Sequence, residues 1–237
     1  MCVALSAAAV SANAAVLKFS AAYGATDAAA AEADFLAGSY NQVTETFDGF
    51  DASGKVIGAN QQQSYVQTSN SFNTAVGVFT NPAGEVNNGG DDFLPDNLMI
   101  EDVETGEFGR ATPGQWLDSN DADNVVWDIL DGSYNAFGFY LSDANDQGAS
   151  LVLSFVDGTT ETLNLLSPLK NGNLMYVTLV SDMDFTSATL TFQNGENEND
   201  GWGIDNVTIA SVPEPGTLAL LGLGLAGLGV ARRRKQS

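Results

Sequence analysis

The feature that most constrains the fold is a repeated alternation of apolar and polar residues in short segments from Val43 onward. Side chains of a β-strand point alternately to its two faces, so a period of two is typical of half-buried strands. Turn-forming pairs such as Asp157-Gly158 and Asn194-Gly195 separate the segments. The pattern predicts an all-β fold over residues 42–210, a jelly-roll-like antiparallel β-sandwich. Its strands are expected at residues 42–50, 64–68, 74–80, 97–101, 124–129, 136–141, 150–155, 161–166, 174–180, 187–193 and 203–210.

One segment departs from this alternation. Residues 26–38 are rich in alanine and predict a short N-terminal helix. Thr26 or Asp27 is expected to cap it, and an acid there suits the positive end of the helix dipole. Phe35 and Leu36 would dock the helix on the body of the protein.

Two stretches show no regular pattern. Residues 16–25 are interpreted as a linker. Residues 81–122 are rich in loop-forming residues such as Asn87-Asn88-Gly89-Gly90, and a variable binding surface is expected there.

Cysteine and histidine are almost absent. The chain has one cysteine, Cys2, and no histidine. Residues 16–212 therefore offer no disulfide, no thiol nucleophile, no Ser-His-Asp triad and no histidine-ligated zinc or iron site. We expect a protein that is not an enzyme. A two-carboxylate glycoside hydrolase is formally compatible with the composition, although acid richness alone is no evidence for one.

Acidic side chains dominate the charge. Residues 16–212 carry 29 acidic and four basic side chains, a net charge of −25. Nucleic acid and anionic lipid surfaces repel such a domain, so we expect no nucleic-acid partner. Divalent cations are attracted instead.

The N-terminus has the pattern of an export signal. Residues 3–15 are apolar and end in Ala12-Asn13-Ala14, a small-x-small pattern that suits signal peptidase. No basic residue precedes the apolar run. Residues 1–15 are therefore interpreted as a signal peptide that is truncated at its start.

The C-terminal tail, residues 212–237, has three consecutive parts. Pro213, Glu214 and Pro215 form an extended segment, because proline fixes φ and donates no backbone hydrogen bond. An uncharged apolar run follows, shorter than the about 20 residues of a full membrane span. Four basic residues then favour a cytoplasmic C-terminus: Arg232, Arg233, Arg234 and Lys235. An ordinary single-span anchor is the alternative interpretation.

This order of parts resembles the PEP-CTERM sorting signal of Gram-negative bacteria. The resemblance implies export, anchoring in the inner membrane by a C-terminal transmembrane helix, and cleavage near Pro213-Glu214-Pro215 by an exosortase. The product is then expected at the cell surface or outside the cell. Residues 26–210 also resemble a domain that recurs before such tails, through residues 136–143, 153–158 and 201–207.

Two short motifs resemble a calcium site of galactose-binding-like jelly rolls and MAM domains. In those folds an acid after an early Phe and an Asp in the last strand hold a structural calcium, and Phe47-Asp48 and Ile204-Asp205 match that pattern. Backbone carbonyls would complete the six to eight oxygens that Ca²⁺ requires. The alternative is that Asp205 and Asn206 cap a strand end or hydrogen-bond a turn. The candidate ligands are Asp48, Asp205, Glu45 and Asp200.

Tryptophans suggest a second kind of site. Trp116 and Trp202 lie beside glycine and polar residues, so they are candidates for stacking on sugar rings. Packing in the core or at an edge is the alternative for both. Trp127 lies within an apolar strand and is expected to fill the core.

These features together predict an exported cell-surface or extracellular-matrix protein. Its expected role is structural or adhesive, in the envelope or the exopolysaccharide. A carbohydrate-binding module that uses Trp116 or Trp202 is the second hypothesis, and a glycan-active hydrolase is the third.

Overall fold

The computed structural model describes residues 17–58, 64–82, 98–106, 114–119, 122, 124–130, 133–143, 150–164, 172–191 and 202–213. These residues form fourteen β-strands and one α-helix, α1 (Ala25–Gly38). The strands are β1 (Leu17–Tyr23), β2 (Tyr40–Glu45), β3 (Gln67–Ser69), β4 (Ser71–Thr74), β5 (Gly77–Thr80), β6 (Leu98–Glu101), β7 (Trp116–Asp118), β8 (Asn124–Ile129), β9 (Ala136–Ser142), β10 (Ser150–Phe155), β11 (Thr160–Asn164), β12 (Leu174–Ser181), β13 (Phe185–Thr191) and β14 (Gly203–Ser211).

The strands form two antiparallel sheets. The first sheet has the order β1-β12-β9-β14-β7-β6-β3, and β2 also pairs with β14. The second has the order β11-β10-β13-β8-β5-β4. The last strand, β14, lies in the interior of the first sheet, where it pairs with β9, β7 and β2. The prediction of a mostly-β protein with one helix is confirmed, and the jelly-roll description stays a prediction.

One apolar core joins the two sheets. Phe137 of β9 contacts Trp127 of β8, with ring centroids 5.3 Å apart, and Phe185 of β13 at 4.9 Å. Trp127 in turn stacks on Phe79 of β5 at 5.3 Å. The two contacts of Phe137 cross from the first sheet to the second, so the sheets pack face to face. Each such side chain removes 150–250 Å² from water, which is the main source of stability here.

The helix α1 packs on the opposite face of the first sheet. Ala28 and Phe35 of the helix are buried against Ala136, Tyr140 and Tyr176. The expected cap is wrong, because Gly24 occupies the N-cap position and no side chain caps the helix. Thr26 and Asp27 lie two and three positions beyond the N-cap, inside the first turn.

Three segments differ from the predicted pattern. The supposed linker contains β1, which pairs with β12 along its whole length, from Leu17 with Ser181 to Tyr23 with Met175. The loop-rich stretch contains β7, whose three residues are all buried. The strand predicted at residues 74–80 is a hairpin, β4 and β5, because the chain turns between Thr74 and Gly77. Gly77 has a φ of 129°, which other residues rarely adopt.

In the part of the chain that the structure describes, no helix is long and apolar enough to cross a membrane. The predicted signal peptide, Glu214, Pro215 and the run from Arg232 to Lys235 lie outside the described residues.

Candidate functional site

The first candidate calcium ligand, Glu45, ends β2 and fixes two neighbouring loops. One carboxylate oxygen accepts the backbone N–H of Phe47 at 2.7 Å. The other accepts the N–H of Ala75, in the β4–β5 turn, at 2.8 Å. Phe47 has a φ of 57°, so the chain turns sharply just after Glu45. Glu45 therefore ties this turn to the second sheet.

Asp48 is the second candidate and has an exposed side chain. Its Oδ1 accepts the backbone N–H of Gln115 at 2.8 Å. Gly114 leaves the room for this contact, since a Cβ there would collide with the Asp48 carboxylate. Asp48 thus holds the entry to β7 against the segment that follows β2.

Asp205 is the third candidate and is 1% exposed, within β14. Its Oδ1 accepts the backbone N–H of Asn206 at 2.7 Å. Asn206 has a φ of 46°, and the pairing of β14 with β9 shifts register at this point. The Asn206 amide donates to Glu32 of α1 at 2.9 Å. These bonds are of the kind expected from the alternative interpretation, in which Asp205 and Asn206 support an irregularity in a strand.

Among the described residues, no three acidic, histidine or cysteine side chains gather closely enough to hold a metal ion. The fourth candidate, Asp200, lies outside the described residues. Glu45, Asp48 and Asp205 each bind a backbone N–H instead. Calcium binding therefore stays a prediction, and the positions of these carboxylates do not support it.

The predicted sugar platforms, Trp116 and Trp202, are each 1% exposed. The indole N–H of Trp116 donates to Glu101 at 3.2 Å, and the backbone of Trp202 is bonded to Ser119. Neither ring presents a face to solvent, so the prediction of exposed stacking surfaces is wrong for both. The reason is that Trp202 packs in the core, while Gly106 and Glu101 lie against the ring of Trp116. Trp127 fills the core as expected.

A surface groove that the sequence did not indicate lies beside β2. Its volume is about 400 Å³, and its lining is Asn41, Gln42, Val43, Ser133 and Tyr134. We call it the β2 groove. The described residues of this lining supply two amides, a hydroxyl, a phenol and one aliphatic side chain, and none of them is charged. Residues 41–43 and residues 133–134 are distant in the sequence and meet only in the folded chain. No local motif could therefore have revealed the groove.

The C-terminal end of the β-sheet body lies next to this groove. The backbone N–H of Val212 donates to Asn135 Oδ1 at 2.8 Å, and Asn135 Nδ2 donates to the carbonyl of Val212 at 3.2 Å. Ser211 Oγ donates to the Ser133 carbonyl at 2.8 Å. We call the paired bonds of Asn135 and Val212 the Asn135 clamp. Pro213, the next residue, is exposed.

The chain carries a known sorting signal. The model of the PEP-CTERM protein-sorting motif matches residues 211–235. This match confirms the PEP-CTERM interpretation of the tail, and the motif implies an exported protein that an exosortase processes; the transmembrane anchor stays a prediction. No curated protein matches the sequence.

Several solved structures are distantly similar to this chain. The K2 cleaved adhesin domain of Lys-gingipain is 10% identical, with 72% of this chain and 98% of that chain covered and a TM-score of 0.37. The K3 cleaved adhesin domain of Lys-gingipain from Porphyromonas gingivalis is 12% identical, with coverages of 71% and 98% and a TM-score of 0.28. A family 29 carbohydrate-binding module is 12% identical, with coverages of 74% and 99% and a TM-score of 0.30. At these scores the likenesses carry no argument about ligands.

Proposed function

We propose that the protein is a non-catalytic structural or adhesive component of the cell surface or extracellular matrix. The observation that carries the proposal is the PEP-CTERM motif at residues 211–235, which begins where the β-sheet body ends. A signal of this kind gives the folded part an address outside the cytoplasm. The two sheets would then be the cargo that the signal delivers.

The composition supports a role without catalysis. The segment from residue 16 to residue 212 has neither cysteine nor histidine, so the commonest nucleophiles, general bases and metal ligands are missing. Its strong negative charge favours solubility and disfavours nucleic-acid partners. An exopolysaccharide is the partner class that this location makes available.

The proposed route has three stages. Signal peptidase removes residues 1–15 during export. The apolar part of the tail then holds the protein in the inner membrane, with the basic residues Arg232 to Lys235 on the cytoplasmic side. An exosortase next cuts near Pro213-Glu214-Pro215, and the body moves to the cell surface or the matrix.

Fractionation of the host tests this proposal. The parent protein should appear in the surface and matrix fractions, and a variant with Pro213, Glu214 and Pro215 all replaced by Ala should accumulate in the inner membrane. Asp128→Ala, a change at an exposed residue of β8, serves as the control and should behave as the parent. A parent protein found in the cytoplasm would refute the proposal.

A further inference from the structure

We infer that the β2 groove binds a segment of neutral polysaccharide. The inference deepens the proposed adhesive function and rests on it for the location of the protein, while its chemistry rests on the groove itself. A volume of about 400 Å³ lies within the range of small-molecule sites, roughly 300–1,000 Å³.

The groove offers the two kinds of contact that a sugar ring uses. Tyr134 is half-buried: its ring packs against the core, and its exposed part can contact the apolar face of a pyranose. Asn41 and Ser133 are exposed and supply an amide and a hydroxyl, which can both donate to and accept from sugar hydroxyls. Within the described residues, none of these three side chains makes a hydrogen bond through its polar atoms.

The charge of the molecule selects among polysaccharides. None of the described residues that line the groove is acidic or basic, although the chain carries a net charge of −22. An anionic glycan would meet repulsion from the whole protein and would find no cation among these residues. The negative charge of the protein does not repel a neutral glycan, so neutral polysaccharides are the expected ligands.

Three residues of the groove, Asn41, Gln42 and Val43, lie in β2, and Ser133 and Tyr134 lie in the segment just before β9. Gln42 Nε2 donates to the carbonyls of Leu36 and Ser39 at the end of α1, at 2.6 and 3.0 Å. Asn41 has a φ of 52°, a left-handed conformation that asparagine tolerates. The pairing of β2 with β14 shifts register between Ile209 and Ser211, close to this turn. Because the backbone is fixed, a ligand needs to order few side chains on binding.

Affinity electrophoresis of the purified parent protein against a panel of neutral polysaccharides tests the inference, with alginate as the anionic comparison. The parent should be retarded by at least one neutral polymer and not by alginate. Asn41→Gly removes the amide and keeps the backbone conformation accessible. Tyr134→Ala removes the ring. Either change should weaken binding about tenfold, a loss of about 1.4 kcal/mol.

Tyr23→Ala and Asn73→Ala are the matched controls, since both side chains are exposed and lie outside the groove. Binding by both controls and loss in Asn41→Gly would support the site. No retardation of the parent by any neutral polymer, or unchanged binding by Asn41→Gly, would overturn the inference. Neither result would affect the proposed surface location, which the fractionation tests separately.

A different observation carries a second inference: we infer that the folded body restrains its own sorting signal. The matched motif begins at Ser211, which is still a residue of β14 and pairs with Tyr40 of β2. The Asn135 clamp then holds Val212. No unrestrained residue separates β14 from Pro213. The sorting motif therefore starts within the folded end of the strand.

Restraint follows from how proteases bind their substrates. Cleavage requires a segment of backbone that is free of competing hydrogen bonds, and its rate follows the population of the open state when opening is fast. Both hydrogen bonds of the Asn135 clamp oppose opening, so loss of the clamp should raise the open population of the strand end severalfold.

Pulse-chase measurement of tail removal in the host tests this second inference. Asn135→Ala should be processed severalfold faster than the parent, and so should a chain with Gly-Ser inserted between Val212 and Pro213. Phe72→Leu, a change in the second sheet, controls for a general loss of stability and should not accelerate processing. Equal rates for the parent and both altered chains, or no processing in any of them, would overturn the inference.

Discussion

Tyr140 shows how one side chain joins the helix to the sheet. It is 4% exposed, and its hydroxyl donates to Glu32 of α1 at 2.8 Å. Burial raises the pKa of Tyr140 most, and the hydrogen bond to Glu32 and the charges of Glu32 and Asp205 raise it further. The neutral hydroxyl is thus the form that the fold requires.

This pKa shift predicts a loss of stability in alkali. An unfolded tyrosine ionises near pH 10, whereas folded Tyr140 holds its proton to higher pH. The contribution of Tyr140 to stability is therefore complete below about pH 10 and is lost as the pH rises through the folded pKa. We expect urea unfolding to show a smaller decline between pH 9 and pH 12 for Tyr140→Phe than for the parent.

The same variant should lose stability at pH 7, by about 1.5–3 kcal/mol, because the Glu32 carboxylate loses a donor. Tyr40→Phe, at an exposed tyrosine, is the matched control and should follow the parent at every pH. An identical pH profile for Tyr140→Phe and the parent would contradict the role assigned to this hydroxyl.

At the residue scale, sequence reasoning identified residue types better than their surroundings. The sequence indicated Asp205 and Glu45 as calcium-ligand candidates, which stays a prediction, but it does not reveal which backbone N–H groups their carboxylates accept. The prediction of an exposed Trp116 was wrong for a related reason. Its glycine and polar neighbours indicate a surface position, whereas its burial depends on contacts with Gly106 and Glu101.

The helix α1 is the element whose stability depends most on packing. It has no basic residue in its last turn and no side-chain cap at its N-terminus, although an acid in its first turn suits the helix dipole. A 14-residue helix of this kind is marginal in isolation. Its buried side chains on the sheet, Ala28 and Phe35, therefore decide whether it forms.

We expect Phe35→Ala to lower the free energy of unfolding by about 3 kcal/mol, because it leaves a cavity between the helix and Tyr176. For a domain of this size the midpoint of thermal unfolding should fall by roughly 6–12 °C. Circular dichroism during heating measures the change. Asp34→Ala, at the exposed neighbour, should shift the midpoint by little, and equal shifts would contradict the docking described for α1.

Elements with a strong local pattern were predictable and others were not. The helix and strands such as β8 and β10 lie where alanine content and alternation indicated them. By contrast, β1 has the sequence Leu-Lys-Phe-Ser-Ala-Ala-Tyr, in which small residues weaken the alternation. Its strand conformation comes from β12, a partner more than 150 residues away in the chain. β7 has only three residues, too few for a periodic signal.

At the scale of the whole molecule, the calcium hypothesis has a direct test. Linkage requires that an ion bound only by the folded state raises the unfolding midpoint. If Asp48 and Asp205 belong to such a site, millimolar calcium after EGTA should stabilise the segment from residue 16 to residue 212. The increment from calcium should vanish in Asp205→Ala and persist in Asp128→Ala.

Only the calcium increment is informative in this melt, because Asp205→Ala also removes the acceptor of the Asn206 N–H and should lower the midpoint by itself. An increment of zero in the parent would remove calcium from the description of this protein.

The global architecture was easier to predict from the sequence than such a site. Strand number and alternation indicate two sheets, while a site depends on contacts between distant segments.

The position of β14 has a mechanical consequence. A protein that is tethered through its C-terminal end transmits drag from flowing water into the last strand. That strand has neighbours on both sides, β9 on one and β2 and β7 on the other. Tension along its axis shears many hydrogen bonds at once instead of unzipping them singly. An attachment at this end would therefore pull on a strand that is hydrogen-bonded on both sides.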